Sequence, residues 1–255
     1  MARTVAIGGQ DFKELRENDV FYVDKTAFIK NWWENMDSVT LITRPRRFGK
    51  TLNMSMLNYF FSNQYAESGE LFEGLDIWKE EKFHKLQGTY PVIFLTFAGV
   101  KGKTYRDTVQ IIKIALAKLF SRYDYLMEYE GFGEKERNAF ERICEDMDDV
   151  QAALSLNLLS TLLEKYYGKK VLIFLDEYDT PLQEAYIQGY WDEMTAFIRT
   201  MFNNTFKTNP SMERAVMTGI TRVSKESIFS DLNNPIVVTT TSDLYATDFG
   251  FTEEE

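Results

Sequence analysis

One cysteine and one histidine in 255 residues leave little for metal or thiol chemistry to build on. Cys144 has no second cysteine to pair with, which fits a reducing compartment, and a lone thiol of this kind reads as idle or buried rather than reactive. His84 follows Glu80, Glu81 and Lys82 and reads as a solvated surface residue. One His and one Cys cannot supply a zinc site. No run of about 18 apolar residues occurs, so no membrane span is expected. The N-terminus, Met1-Ala2-Arg3-Thr4, has no apolar stretch of the signal-peptide kind, which points to a cytoplasmic protein. Positive charge is also short. Twenty-nine Lys and Arg face 39 Asp and Glu, for a net charge of −10. A surface that tracks phosphodiesters makes a domain basic, so nucleic acid is not the expected partner.

What the chain has is apolar material arranged in alternation. Hydrophobic residues make up 44% and aromatic residues 15%, enough for a large core in one or two domains. Five short apolar runs read as strands, at residues 38–43 (SVTLIT), 91–97 (PVIFLTF), 171–175 (VLIFL), 215–218 (AVMT) and 236–240 (IVVTT). Near-continuous apolar runs suit strands buried on both faces. Helical stripes lie between them: Leu52, Met56, Leu57, Phe60 and Phe61; then Val109, Ile112, Leu116 and Leu119. Val150, Leu154, Leu158, Leu162 and Tyr166 form a third, and Met194, Phe197, Ile198, Met201 and Phe202 a fourth. The i, i+3, i+4 spacing makes these core-facing helices. Strand and helix in turn predict an α/β fold, a mainly parallel five-stranded sheet flanked by helices on both faces. Residues 127–150 carry nine Asp or Glu against three Lys or Arg, and read as a solvated helical insertion, with a protein-partner surface as the alternative.

Directly after the first strand comes Arg44-Pro45-Arg46-Arg47-Phe48-Gly49-Lys50-Thr51. A phosphate loop has the form G-x-x-x-x-G-K-[ST] between a strand and a helix. There, backbone N–H groups from Arg46 through Leu52 and the helix N-terminus would cradle phosphates, and Gly49 lets them approach. Lys50 would reach the β- and γ-phosphates, and the Thr51 hydroxyl would bind Mg²⁺. Arg44 stands where the first glycine belongs, and its side chain is expected to alter the start of the loop or its backbone angles.

The run ending Phe174-Leu175-Asp176-Glu177 supplies a carboxylate at a strand end, the place where such a fold keeps its ligands. Asp176 is expected in the Mg²⁺ shell. Glu177 is placed to activate a water for attack on the γ-phosphate. The fourth strand runs into Thr218-Gly219-Ile220-Thr221-Arg222, and Thr218 and Arg222 are candidates to sense γ-phosphate charge. The bland alternative there is a capping threonine and a surface arginine.

These segments, with Tyr22-Val23-Asp24-Lys25-Thr26, Leu175-Asp176-Glu177-Tyr178-Asp179-Thr180-Pro181 and Ile228-Phe229-Ser230-Asp231-Leu232-Asn233-Asn234, resemble the predicted AAA-ATPase-like family of bacterial proteins, in order and over nearly the whole chain. The resemblance makes the missing first glycine a family trait. It implies a P-loop ATPase core taking ATP (or ADP) and Mg²⁺, usually followed by a helical lid and a PD-(D/E)XK nuclease-like domain. No such nuclease segment is present in this sequence. By analogy, residues 22–26 are expected near the nucleotide base. The expected division is an N-terminal segment near the nucleotide site (1–37), the ATPase core (38–248) and the start of a lid (249–255), where Thr252 resembles a helix cap. The expected activity is ATP hydrolysis coupled to a conformational change in a larger protein. A non-hydrolysing ATP/ADP switch is the alternative, and Glu177 favours hydrolysis. Apart from nucleotide, the partners expected are another protein or a second copy of the chain.

Overall fold

The computed structural model describes residues 8–18, 20–221 and 235–255. Five strands form one sheet: β1 (Val39–Thr43), β2 (Val92–Thr96), β3 (Val171–Asp176), β4 (Met212–Gly219) and β5 (Ile236–Val238). Their order is β2-β3-β4-β1-β5, and every pairing is parallel. The first strand, with the phosphate-loop sequence behind it, therefore lies between β4 and β5. The strand carrying Asp176 lies one strand further away. β4 begins three residues before the apolar run 215–218 that predicts it, because Met212 and Arg214 continue the ladder with β3.

Alternation along the strands builds a core on each side of the sheet. Leu41, Ile173, Leu175, Ala215 and Met217 face one layer. It contains α5 (Tyr105–Ser121), α7 (Asp149–Tyr167), α8 (Thr180–Gln188) and α9 (Trp191–Phe202). Ile42, Leu172, Phe174, Val216 and Val238 face the other. There lie α1 (Phe12–Glu17), α2 (Ala27–Asn35), α3 (Lys50–Phe61) and the short α4 (Glu81–Leu86). Thr104 caps α5 by accepting the Asp107 N–H at 3.2 Å. Asp148 and Gln151 form a capping box at the start of α7, and Gly168 ends that helix in the left-handed conformation.

In α7 the buried face follows the stripe its sequence suggests only in part: Leu162 is buried, at 1% exposure, and Leu158 and Tyr166 pack against the core. Val150 and Leu154 are exposed, at 65% and 41%. Ala152, Ala153, Ser155, Leu156, Leu159 and Leu163 turn inward instead. Small residues there let α7 lie close to the sheet, a use of Ala and Ser that a hydrophobic stripe does not register. The acidic stretch 127–150 is helical at α6 (Glu134–Glu141), but it is not only a solvated insertion. Phe132, Phe140, Ile143 and Met147 are buried in the core beneath α5 and α7, which ties the charged face down.

Candidate functional site

The turn from β1 into α3 forms the floor of a cleft of about 600 Å³ that runs from Arg46 to Asn53. Gly49 caps α3 with φ +73° and Arg47 also has positive φ, at +68°. Only glycine takes that conformation freely, so a non-glycine there costs on the order of 1–3 kcal/mol and turns the loop backbone sharply. Among the described residues the loop side chains Arg46, Arg47 and Phe48 are exposed, whereas Lys50 is buried. Lys50 Nζ lies inside the loop and donates to the carbonyls of Arg44 and Pro45 at 3.0 and 2.9 Å. Burial lowers its pKa from the ordinary lysine value, opposed by the nearby charges of Asp176, Glu177 and Asp179.

Arg44 explains how the loop is built without its first glycine. Its φ is not positive, so no glycine conformation is needed there. Its side chain leaves the loop and is 3% exposed. The guanidinium donates to the carbonyls of Thr43 at 3.1 Å, Val238 at 3.2 Å and Tyr245 at 3.3 Å. It also lies 5.6 Å from the centre of the Phe249 ring. The expected disturbance of the loop start is thus absorbed by side-chain direction, and the extra cation becomes a tie to residues 238–249.

Opposite the loop, Asp176 ends β3 at 1% exposure. The Thr51 hydroxyl donates to its Oδ2 at 2.9 Å. The Thr218 hydroxyl donates to its Oδ1. Thr51 and Asp176, separated by 125 residues in the sequence, therefore meet directly. Thr218 is fully buried against Asp176 rather than facing the cleft. Its Oγ1 also accepts the Glu177 N–H at 3.4 Å. Glu177 is on the cleft wall, with φ +52°, a strained backbone position for a non-glycine residue. Its Oε2 accepts from the Thr180 hydroxyl at 3.2 Å. Arg222 lies outside the described residues, as do the residues of the 228–234 motif.

The fit to Mg²⁺ can be judged from the donors. No group of three or more His, Cys, Asp or Glu that could hold a metal occurs among the described residues. Mg²⁺ at a phosphate site needs only one or two protein oxygens, because phosphates and water complete its octahedron. A hydroxyl and a carboxylate already in contact at Thr51 and Asp176 suit that chemistry.

The cleft has further walls that motif spacing does not reveal. Gln10, Phe21, Tyr22 and Val23 line one side. Asp248, Gly250 and Phe251 line another. The segment 22–26 is held by its own polar groups: Asp24 Oδ1 accepts from the Thr26 N–H at 2.8 Å, and Asp24 Oδ2 from the Asp76 N–H at 2.7 Å. Lys25 Nζ crosses to the Thr247 carbonyl at 2.8 Å. The Gly250 N–H donates to the Phe48 carbonyl at 3.2 Å, and Asn53 Nδ2 to the Asp248 carbonyl at 2.8 Å. Gly250 has φ +75°, and a Cβ there would lie 2.9 Å from the Phe48 ring, so glycine is required where this segment crosses the loop. Residues 252–255 form a turn in which the Glu255 carboxylate accepts from the Thr252 N–H at 2.9 Å, the contact a glutamate three residues into a helix makes with its cap.

A larger depression, of about 1050 Å³, lies where α8 meets α9 and is walled by Tyr186, Ile187 and Trp191. Thr221, from the turn after β4, lines it, but no residue of the phosphate-loop sequence and neither Asp176 nor Glu177 does. Cys144 is an exposed free thiol. His84 is exposed as expected, stacked on Trp78 with ring centres 4.1 Å apart.

Comparison with known proteins agrees with this geometry at the family level. A family model described as "Predicted AAA-ATPase" matches residues 6–229. A protein of Azotobacter chroococcum mcd 1, described as "Uncharacterized protein in vnfD 5'region", is 28% identical over 237 residues. The alignment takes in 91% of this chain but only 40% of that relative. No helix among the described residues is long and apolar enough to cross a membrane.

Proposed function

The chain belongs to the predicted AAA-ATPase family, and from that premise we propose that it is an ATP-binding, Mg²⁺-dependent ATPase core. The observation that carries this reading is the meeting of the two motifs: the Thr51 hydroxyl on the Asp176 carboxylate, with Lys50 inside the adjoining loop and Glu177 on the cleft wall. Backbone N–H groups of the loop and the Lys50 ammonium bind the phosphates. Thr51 and Asp176 would hold Mg²⁺, which would neutralise phosphate charge. The Thr218 hydroxyl fixes the orientation of Asp176. Glu177 takes the proton of the attacking water, its carboxylate steadied by the Thr180 hydroxyl. Arg222 supplies positive charge at the γ-phosphate. The aromatic residues Phe21, Tyr22 and Phe251 form the end of the cleft suited to the base.

The relative extends well beyond the aligned region, and we assign ATP turnover in a longer protein the role of driving a conformational change there. The test is calorimetric titration with Mg²⁺–ATP and Mg²⁺–ADP, followed by a phosphate-release assay on the same sample. Micromolar binding with measurable release is the expected result. Binding without release would replace the hydrolase with a nucleotide switch, and no binding would remove the reading altogether.

A further inference from the structure

Two residues past Glu177, a carboxylate with no part in the chemistry above holds a turn together. Asp179 is 1% exposed. Its Oδ2 accepts from the backbone N–H of Ile220 at 3.0 Å and of Thr221 at 2.9 Å. The Thr221 hydroxyl donates to the same oxygen at 2.9 Å, and Gln183 Nε2, from α8, at 2.7 Å. Tyr178 grips the turn from its carbonyl side. Its hydroxyl donates to the Thr221 carbonyl at 2.7 Å and its N–H to the Thr218 carbonyl at 2.9 Å. Gly219 makes the approach possible. A Cβ there would lie 2.6 Å from the Tyr178 ring and 2.8 Å from Asp179 Oδ1. The turn that follows β4 is thereby joined to the turn that follows β3 through its N–H groups, a hydroxyl and a carbonyl.

The arrangement suits holding rather than reacting. Asp179 does not line the cleft, and its Oδ1 takes no hydrogen bond. A general base or metal ligand would present an oxygen to the nucleotide. Asp179 instead directs its bonded oxygen to the backbone groups of Ile220, which is half-buried, and Thr221, which is exposed.

We propose that Asp179 is a positioning residue: it fixes the 219–221 turn, and through it the preceding Thr218 that contacts both Asp176 and the Glu177 N–H, in register with those two carboxylates. The functional consequence rests on the ATPase reading above; the clamp itself rests on the hydrogen bonds alone. Gly219 stays tied to the loop start by the Arg44 N–H on its carbonyl at 3.1 Å, whatever becomes of residues 220–221. A misplacement of about 1 Å among reacting groups costs on the order of a hundredfold in rate, so loosening residues 220–221 lowers turnover far more than ADP affinity.

The experiment compares Asp179→Ala and Asp179→Asn in the whole chain by amide hydrogen exchange, ADP titration and steady-state phosphate release. In Asp179→Ala, exchange at the Ile220 and Thr221 amides rises by about tenfold or more, as expected for a turn released to local opening. Its kcat falls by about tenfold or more at nearly constant KM, with ADP affinity within about twofold. Asp179→Asn keeps one oxygen for the two N–H groups and recovers most of the protection and turnover. Unchanged exchange in Asp179→Ala overturns the clamp. An Asn variant as inactive as the Ala variant, despite restored protection, overturns the positioning role in favour of the carboxylate charge. Equal loss of ADP and ATP affinity would make Asp179 a general packing residue. A wild-type chain that binds no nucleotide refutes the ATPase reading, and the exchange data still decide the clamp.

Discussion

Replacing Arg44 by glycine restores the general phosphate-loop pattern, yet the structure predicts that Arg44→Gly damages the protein. The guanidinium is buried and donates to the carbonyls of Thr43, Val238 and Tyr245 at 3.1–3.3 Å. These are long bonds, so the lower range of about 1 kcal/mol each is appropriate, or about 3 kcal/mol together. Loss of the cation over the Phe249 ring, 5.6 Å from its centre, adds about 0.5 kcal/mol. Extra backbone freedom in the unfolded glycine chain adds about 0.5–1 kcal/mol. The expected loss is therefore about 4 kcal/mol, with roughly a factor of two either way from imperfect additivity. With a urea slope of about 2–3 kcal/mol/M, the midpoint of unfolding falls by about 1.3–2 M. ADP affinity is expected to fall in parallel, because Arg44 ties the loop to the segment that crosses Phe48. Arg44→Lys serves as the control: a point charge cannot reach the carbonyls with a planar fork, so it recovers only part of the loss. An Arg44→Gly protein with unchanged urea midpoint, or with tighter ADP binding, would refute the reasoning and show that the loop start needs glycine after all.

The other expectations concern the nucleotide directly. Lys50→Ala should abolish detectable Mg²⁺–ATP binding by titration calorimetry, since the phosphate charge loses its side-chain partner; unchanged affinity would mean that the loop is not the phosphate site. Glu177→Gln should retain nucleotide affinity and lose phosphate release, because an amide cannot take the water proton; release at the wild-type rate would remove Glu177 as the base. Arg222→Ala should weaken binding of an ATP analogue by about 1.5–3 kcal/mol and leave ADP almost unaffected; equal losses for both ligands would make Arg222 structural.

The sheet was legible because its strands are apolar on both faces. Leu172, Phe174 and Val216 serve one core and Ile173, Leu175 and Ala215 the other, so each run is unbroken and easily seen. The meeting of Thr51 with Asp176 was also foreseeable, since both belong to short patterns whose chemistry requires contact. Harder features depend on direction rather than identity. Nothing in the letter R at position 44 says that the side chain turns out of the loop. Thr218 is a threonine at a strand end, and only the fold shows that its hydroxyl is engaged by Asp176. Part of the inward face of α7 escaped a hydrophobic stripe because alanine and serine, chosen for size, form it. The walls at 8–10 and 248–251 carry no spacing relation to the loop at all, because they reach it through space.

Those walls give the site an unusual place in time. Asn53 is bonded to a carbonyl 195 residues further along, and Lys25 to one 222 residues away. Such contacts come late in folding, since the intervening chain must close over a long loop first. A ribosome extending the chain at roughly 5–20 residues per second needs on the order of 10–40 s to travel from Asn53 to Asp248. Through that interval the phosphate loop exists as sequence but lacks the segment that Arg44 and Phe48 hold. On the ATPase reading, the walls of the nucleotide cleft are therefore complete only when nearly all of this region has been made.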